Sequence, residues 1–293
     1  MYNIKTIVNI RSLVGENPIW DHKNNILYWI DCNKPKIYKY NPFTKKSIAI
    51  NINLNVQTGS IYLHKLGLIV AKKDGLFLYN KSKNNLTLLK SYEMNKDTCF
   101  NDGILDKKNR LWIGNLHIKE KKPIADFCLI EKNKKTIILD SNYVVSNGPT
   151  ITKDYKNIYI SNTFKREIYI FDLNFYEGKI FNKRIFKKFT KSDGYPDGLI
   201  IDSNNCLWCS FWNGWKIECY NQKGKIIEKI FFPVPNITKC CFGGEKLNEL
   251  YVTSASFGMS KSELKEAPLS GSLFKINTSY KGIKSNIANF NNL

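Results

Sequence analysis

The sequence predicts an all-β fold, a six-bladed β-propeller, and three observations carry that prediction. First, one strand-like element recurs six times: ILYWID from Ile26, LIVAKK from Leu68, LWIGNL from Leu111, IYISNT from Ile158, LWCSFW from Leu207 and LYVTSA from Leu250. The spacings are 42, 43, 47, 49 and 43 residues. Second, most copies are followed by a strand with an alternating pattern, such as KIYKYN at Lys36, EIYIFD at Glu167 and KIECYN at Lys216. Third, a polar turn precedes most copies: DHKNN, DKKNR, DYKN and DSNNC. A period of about 40–50 residues carrying about four short strands is the unit of a propeller blade.

The individual elements agree with this. Runs rich in β-branched and aromatic residues alternate with Asn, Asp, Gly and Lys clusters, and few segments show a helical period. Six units account for most of the 293 residues. That length suits one large propeller, so residues 1–293 are expected to form a single domain. The rival, a pair of all-β sandwiches, needs no fixed period. No linker or low-complexity segment interrupts the chain. The Asn-rich end, Asn286 to Asn292, is expected either to fray or to close the ring.

Composition excludes several classes. With 43% hydrophobic and 13% aromatic residues the chain can bury a substantial core, which argues against disorder. No run approaches about 18 apolar residues, so no membrane helix is expected. The start, MYNIKTIVNI, lacks the apolar stretch of a secretory signal. Eight Cys in that context read as reduced thiols of a cytoplasmic protein. The net charge of +20 comes almost wholly from Lys, since Arg stands only at positions 11, 110, 166 and 184. The lysines are scattered in short solvated runs. Specific phosphate and base contacts favour the guanidinium fork, so nucleic acid is not an expected partner.

The polar residues fall in phase with the repeat. Four blades carry ENPIWD from Glu16, NDGILD from Asn101, NGPTIT from Asn147 and DGLIID from Asp197. In each, a carboxylate or amide stands five positions before a polar turn residue. Equal phase means equal place in each blade, so these four side chains should converge at one end of the axis. Their oxygens suit a hard or borderline divalent cation. Without one, Glu16 and Asp197 would repel, and one would hold a proton. Taken singly, Asn or Asp beside Gly also makes ordinary Asx turns. Thr58 and Thr238 fall near the same phase and read as strand-start residues.

These motifs carry a resemblance. GENPIWD, CFNDGILDKKNRLWIGNL, SNGPTITKD, YPDGLIIDSNNCLW and TKCCFGGEKLNELYVTSA resemble, in order, the successive motifs of the senescence marker protein/gluconolactonase/regucalcin family. The likeness covers about residues 12–277. It implies a six-bladed propeller that hydrolyses sugar lactones with one divalent cation (Ca, Zn, Mg or Mn). It also implies that Glu16, Asn147 and Asp197 hold the metal, that Asp197 is the catalytic base, and that Asn101 holds the substrate.

The sequence departs from the family in the substrate shell. Many members carry Arg where this chain has Cys99. The family's third-blade Glu falls near Lys119, with Glu120 adjacent. Gly-Thr-Met is replaced by Gly114-Asn115-Leu116, a fourth-blade Asp by the run Ser161-Asn162-Thr163, and Gly-Gly by Gly214-Trp215. The expected function is therefore metal-dependent hydrolysis of an aldonolactone, with the sugar unspecified and protein partners unknown. The alternative is a propeller that binds calcium or a small ligand without turnover.

Other constellations carry less. His117 follows the third-blade strand, within reach of the channel mouth as a substrate contact. His22 and His64 stand in turns, His22 as an exposed one. No Gly-x-Ser-x-Gly supports a serine triad. Cys206 and Cys209 form a C-x-x-C, but on a strand they point to opposite faces. Cys240 and Cys241 read as core. Trp20, Trp29, Trp112 and Trp208 read as core, and Trp212 and Trp215 as candidates for the pocket wall.

Overall fold

The computed structural model describes residues 2–34, 36–50, 55–132 and 135–289. The described residues form six four-stranded antiparallel sheets. Each sheet is one blade, and its first strand lies innermost. The inner strands are Gly15–Asp21, Thr58–His64, Thr98–Leu105, Ser146–Ile151, Tyr195–Ile201 and Ile237–Gly243. Each neighbours the next, and the last neighbours the first, so they ring one axis. The six recurring sequence elements are the second strands, and the alternating ones that follow are the third.

The ring is closed by the N-terminus, not by the Asn-rich end. Lys5–Val8 supplies the outer strand of blade six, pairing Thr6 with Phe274 and Val8 with Leu273. The C-terminal segment crosses the far end of the channel instead. Lys281 O accepts from Ser203 N at 2.8 Å, and Ala288 N donates to Leu63 O at 2.8 Å. Residues 290–293 of the Asn-rich end lie outside the described residues.

Burial falls from axis to rim. All seven residues of Thr58–His64 are buried, while the outer strand Lys179–Lys188 is largely exposed. A strand covered on both faces reads as continuous burial rather than alternation. Eight of the 41 lysines sit on the outer strands, four of them in Lys179–Lys188. Charged side chains on an exposed edge oppose strand-to-strand association. No helix among the described residues is long and apolar enough to cross a membrane.

The tryptophans assigned to the core are there: Trp29, Trp112 and Trp208 are fully buried. The polar turn is built around its aspartate. Asp106 Oδ1 accepts from Lys108 N at 2.8 Å and Arg110 N at 3.0 Å, and its Oδ2 accepts from Trp112 Nε1 at 2.9 Å. Asp202 repeats this with Asn204 N, Cys206 N and Trp208 Nε1. In these two blades the Asp thus ties the turn to the core beneath it.

Every inner strand also slips register at the same phase, between Glu16 and Ile19, Phe100 and Gly103, Asn147 and Thr150, and their equivalents. A bulge re-aims side chains and tolerates Pro, which explains Pro18 and Pro149 inside paired strands. At Gly148 φ is +56°, and a Cβ would lie 2.3 Å from Leu199 N, so only Gly fits this bulge.

Candidate metal and active site

At one end of the axis a cavity of about 650 Å³ opens beside the bulges. Glu16, Asn101, Asn147 and Asp197 all line it. Asn101 Nδ2 donates to Asn147 Oδ1 at 2.6 Å, and Asn147 Nδ2 donates to Asp197 Oδ1 at 2.6 Å. Three blades are thereby joined in one polar line. Thr163 Oγ1 accepts from Asn147 Nδ2 at 3.1 Å and donates to Pro196 O at 3.0 Å, which fixes the central amide. Asn147 and Asp197 are buried, at 8% and 5% exposure. Glu16 faces the same cavity, its Oε2 accepting from Asn17 N at 2.5 Å.

Electrostatics make this floor short of positive charge. Burial is the largest cause raising Asp197 well above the usual carboxylate range, and the charges of Glu16 and Asp102 add to it. Burial first, then Asp102, pushes Glu16 up to about 8, against the opposing pull of Lys239. A cation placed between these carboxylates would remove the repulsion. The donors are all oxygens, and Asn147 Oδ1 keeps a lone pair beyond the one Asn101 uses. Glu16, Asn147 and Asp197 therefore fit a hard or borderline divalent ion.

The remaining candidates fall into two groups. Glu120, Trp212 and Trp215 line the cavity. Glu120 is exposed overall, and desolvation raises the pKa of its carboxyl. Cys99, Lys119 and His117 are not among the cavity's lining residues. Cys99 is sealed behind the wall with Leu116 and Val145, and burial pushes its thiol up to about 12. Lys119 is exposed. His117 is buried, and its Nδ1 accepts from Lys121 N at 3.0 Å and Lys122 N at 2.8 Å. It shapes the loop that carries Glu120.

Thr58 and Thr238 are fully buried, and Thr238 Oγ1 donates to Gly15 O at 2.6 Å. His22, expected exposed, is half-buried in its turn. Cys206 packs with Cys219 against the blade-six core, whereas Cys209 packs on the opposite face with Tyr159. The C-x-x-C is split across one sheet, as the odd spacing requires.

The phase argument did not single out two buried charges behind the floor. Asp102 is 2% and Lys239 6% exposed, and they form an ion pair. Asp102 Oδ2 also accepts from Gly148 N at 3.0 Å, and its Oδ1 from Asn17 Nδ2 at 3.1 Å. The signal was present: Asp102 follows Asn101 directly, and on a regular strand it would point away from the axis. The bulge turns both inward. Phe164 and Phe257 on the wall were also missed, because they lie in loops outside the repeat, and so was Tyr195, which opens the inner strand of blade five.

Among the cavity's described lining residues there is no Ser or His, and the one thiol, Cys32, is raised well above the usual range by burial. The carboxylates of the cavity suit acid–base chemistry.

The family described as SMP-30/Gluconolactonase/LRE-like region matches residues 14–256. Regucalcin of Xenopus laevis is 30% identical over 286 residues, covering 93% of each chain. A 6-deoxy-6-sulfogluconolactonase of Pseudomonas putida is 27% identical over 282 residues, covering 95% of this chain and 96% of its own. Among solved structures, a calcium-binding protein, regucalcin, from Agrobacterium tumefaciens superposes with a TM-score of 0.93 at 20% identity, covering 99% of this chain and 98% of its own.

Proposed function

Because the chain belongs to the SMP-30/gluconolactonase/LRE-like family, we propose that it is a metal-dependent hydrolase that opens a sugar lactone to the aldonic acid. The observation that carries this reading is the polar line Asn101–Asn147–Asp197, with Glu16 facing it in a cavity whose described lining residues include no Ser or His. One relative's name describes a lactonase and another's structure a calcium-binding protein, which supports both the reaction class and a divalent ion.

In this reading Glu16, Asn147 and Asp197 hold the ion. When bound, a divalent cation polarises a carbonyl and lowers the pKa of water. Asp197 accepts a proton from the attacking water as its oxygen bonds to the lactone carbonyl carbon. The ring C–O bond then breaks, and the proton returns to the departing ring oxygen. Asn101 orients the lactone through its amide. Thr163 keeps Asn147, and through it Asp197, from rotating away.

Acid release from a panel of sugar lactones tests this, using metal-stripped protein with Ca, Mg, Mn and Zn restored singly. Hydrolysis that returns with one ion and is lost in Asp197→Ala supports the reading. Metal binding with no hydrolysis across the panel would instead favour the non-catalytic calcium-binding alternative.

A further inference from the structure

The axial cavity is larger than one lactone ring needs. Its volume of about 650 Å³ falls among the roughly 300–1,000 Å³ of sites that hold drug-sized ligands, and a six-carbon lactone is smaller than those. Tyr195 stands two residues before Asp197 on the inner strand of blade five, a distance of about 7 Å along an extended chain. Tyr195 pairs across to Trp212, and the chain then turns through Asn213 and Gly214 to Trp215. Tyr195, Trp212, Asn213 and Trp215 all line the cavity. A lactone whose carbonyl lies beside Asp197 therefore ends where these side chains begin.

The turn is held in a strained shape. Asn213 and Trp215 have φ of +55° and +59°, the left-handed region that glycine enters freely and a bulky residue does not. Gly214 N and Trp215 N both donate to Pro235 O, at 3.0 and 3.1 Å, and Asn213 N donates to Asn236 Oδ1 at 3.1 Å. These bonds to blade six keep the Trp215 indole in the cavity wall with 42% of the residue exposed. Asn236 lines the cavity beside it and is 5% exposed. Its Oδ1 is taken by Asn213, whereas its Nδ2 has no hydrogen-bond partner among the described residues and is left for a ligand. Two carboxylates complete this wall. Glu263 Oε2 accepts from Ser260 N at 2.7 Å, and Glu266 keeps its oxygens for a ligand.

An open aromatic face flanked by an amide donor and a carboxylate acceptor suits a sugar ring. The C–H face of the ring packs on an indole, and each of its hydroxyls both donates and accepts. We propose that this wall is a subsite for a second sugar, so that the substrate is an aldonolactone carrying a glycosyl residue on a hydroxyl away from the ring carbonyl. The second ring stacks on Trp215, accepts from Asn236 Nδ2 and donates to Glu266. The proposal rests on the lactonase reading for the first ring; the subsite itself is built by blades five and six.

The test uses the full chain saturated in turn with Ca, Mg, Mn and Zn. KM is measured for gluconolactone and its 3-O-, 4-O- and 6-O-glucosyl derivatives. Calorimetry gives Kd for the corresponding non-hydrolysable lactams. At least one glucosyl lactam should bind about tenfold more tightly than gluconolactam, and KM should follow the same order. Trp215→Gly suits the backbone it enters, so it should stay folded by circular dichroism while that preference falls to within about twofold. Glu266→Ala, at an exposed position, should lower the same ratio. Failure of every glucosyl lactam to outbind gluconolactam, or a preference that survives both substitutions, overturns the proposal whatever is hydrolysed. No hydrolysis of any lactone, with the lactam preference present and lost in Trp215→Gly, would instead sink the lactonase reading and leave the sugar subsite standing.

Discussion

Lys239 and Asp102 form a buried ion pair across the propeller axis, reaching from the inner strands of blades six and three. Gly198 makes the path possible, since a Cβ there would lie 2.5 Å from Lys239 Cγ. Asp102 also accepts from Asn17 of blade one and Gly148 of blade four, and Asn17 Oδ1 accepts from Ile61 N of blade two at 2.8 Å. Four of the six inner strands therefore meet at one carboxylate, and Asn17 links a fifth. Removing one partner of a buried pair costs about 3–5 kcal/mol, because the other charge stays uncompensated. Lys239→Met should lower the stability of the metal-free protein by that order in denaturant unfolding. The double variant Lys239→Met/Asp102→Asn should recover part of the loss. An unchanged midpoint in the single variant would show that the pair holds nothing together.

The raised carboxylates dictate a pH dependence. The unfolded Glu16 titrates near 4.5, whereas burial and Asp102 hold the folded one near 8. The folded state thus binds the extra proton between these values, so metal-free stability declines as pH rises from about 4.5 to about 8. Asp197 shifts the same way and adds to the decline. Metal binding runs opposite, because the carboxylates must release their protons to ligate. Affinity for calcium or manganese should tighten up to about pH 8 and then level off. Calorimetry in two buffers of different ionisation heat should detect proton release at pH 6. A flat affinity between pH 5 and 8 would contradict the burial of these groups.

Glu16 and Asp197 should separate by function. In Asp197→Asn the amide oxygen can still accept from Asn147 Nδ2, so the polar line survives while the base is lost. Turnover at saturating metal should fall by about 10²–10⁴, the usual share of general-base catalysis. Glu16→Gln removes a charged ligand without touching that line. It should weaken the metal and leave substantial turnover once the metal is raised to saturation. Equal losses in both variants at saturating metal would mean that Asp197 acts only as a ligand.

What the sequence disclosed follows the period. The second and third strands stood out because their apolar residues are fixed by burial between blades, and Trp112 and Trp208 recur above the same turn aspartate. Glu16, Asn101, Asn147 and Asp197 were found because equal phase means equal place. Lys239 was not, since blade six keeps the phase while changing the residue type, and the bulge that redirects Asp102 leaves no trace in an alternation pattern. The aromatic wall was hidden for another reason. Phe164 and Phe257 follow the second strands of blades four and six in loops of unlike length. Their convergence depends on the closed ring. Closure by Lys5–Val8 was equally illegible, because a four-residue outer strand is indistinguishable from a polar terminus.

His117 supplies the last prediction. It lies behind the wall, yet its Nδ1 accepts from two successive amides, Lys121 N and Lys122 N. Its own carbonyl accepts from Glu120 N at 2.7 Å, and Glu120 sits at φ +51°. The loop is thus wrapped around one imidazole, and that wrapping holds Glu120 in the cavity wall. His117→Ala leaves two inward amides without an acceptor, at a cost of about 1–3 kcal/mol, which the loop avoids by opening. Glu120 then leaves the wall while Asp197 and Asn147 stay in place. The variant should therefore raise KM and change kcat little, and Glu120→Gln should raise KM without the stability loss. If His117→Ala instead lowers kcat at unchanged KM, the imidazole acts on the chemistry itself and its buried position behind the wall has been misread.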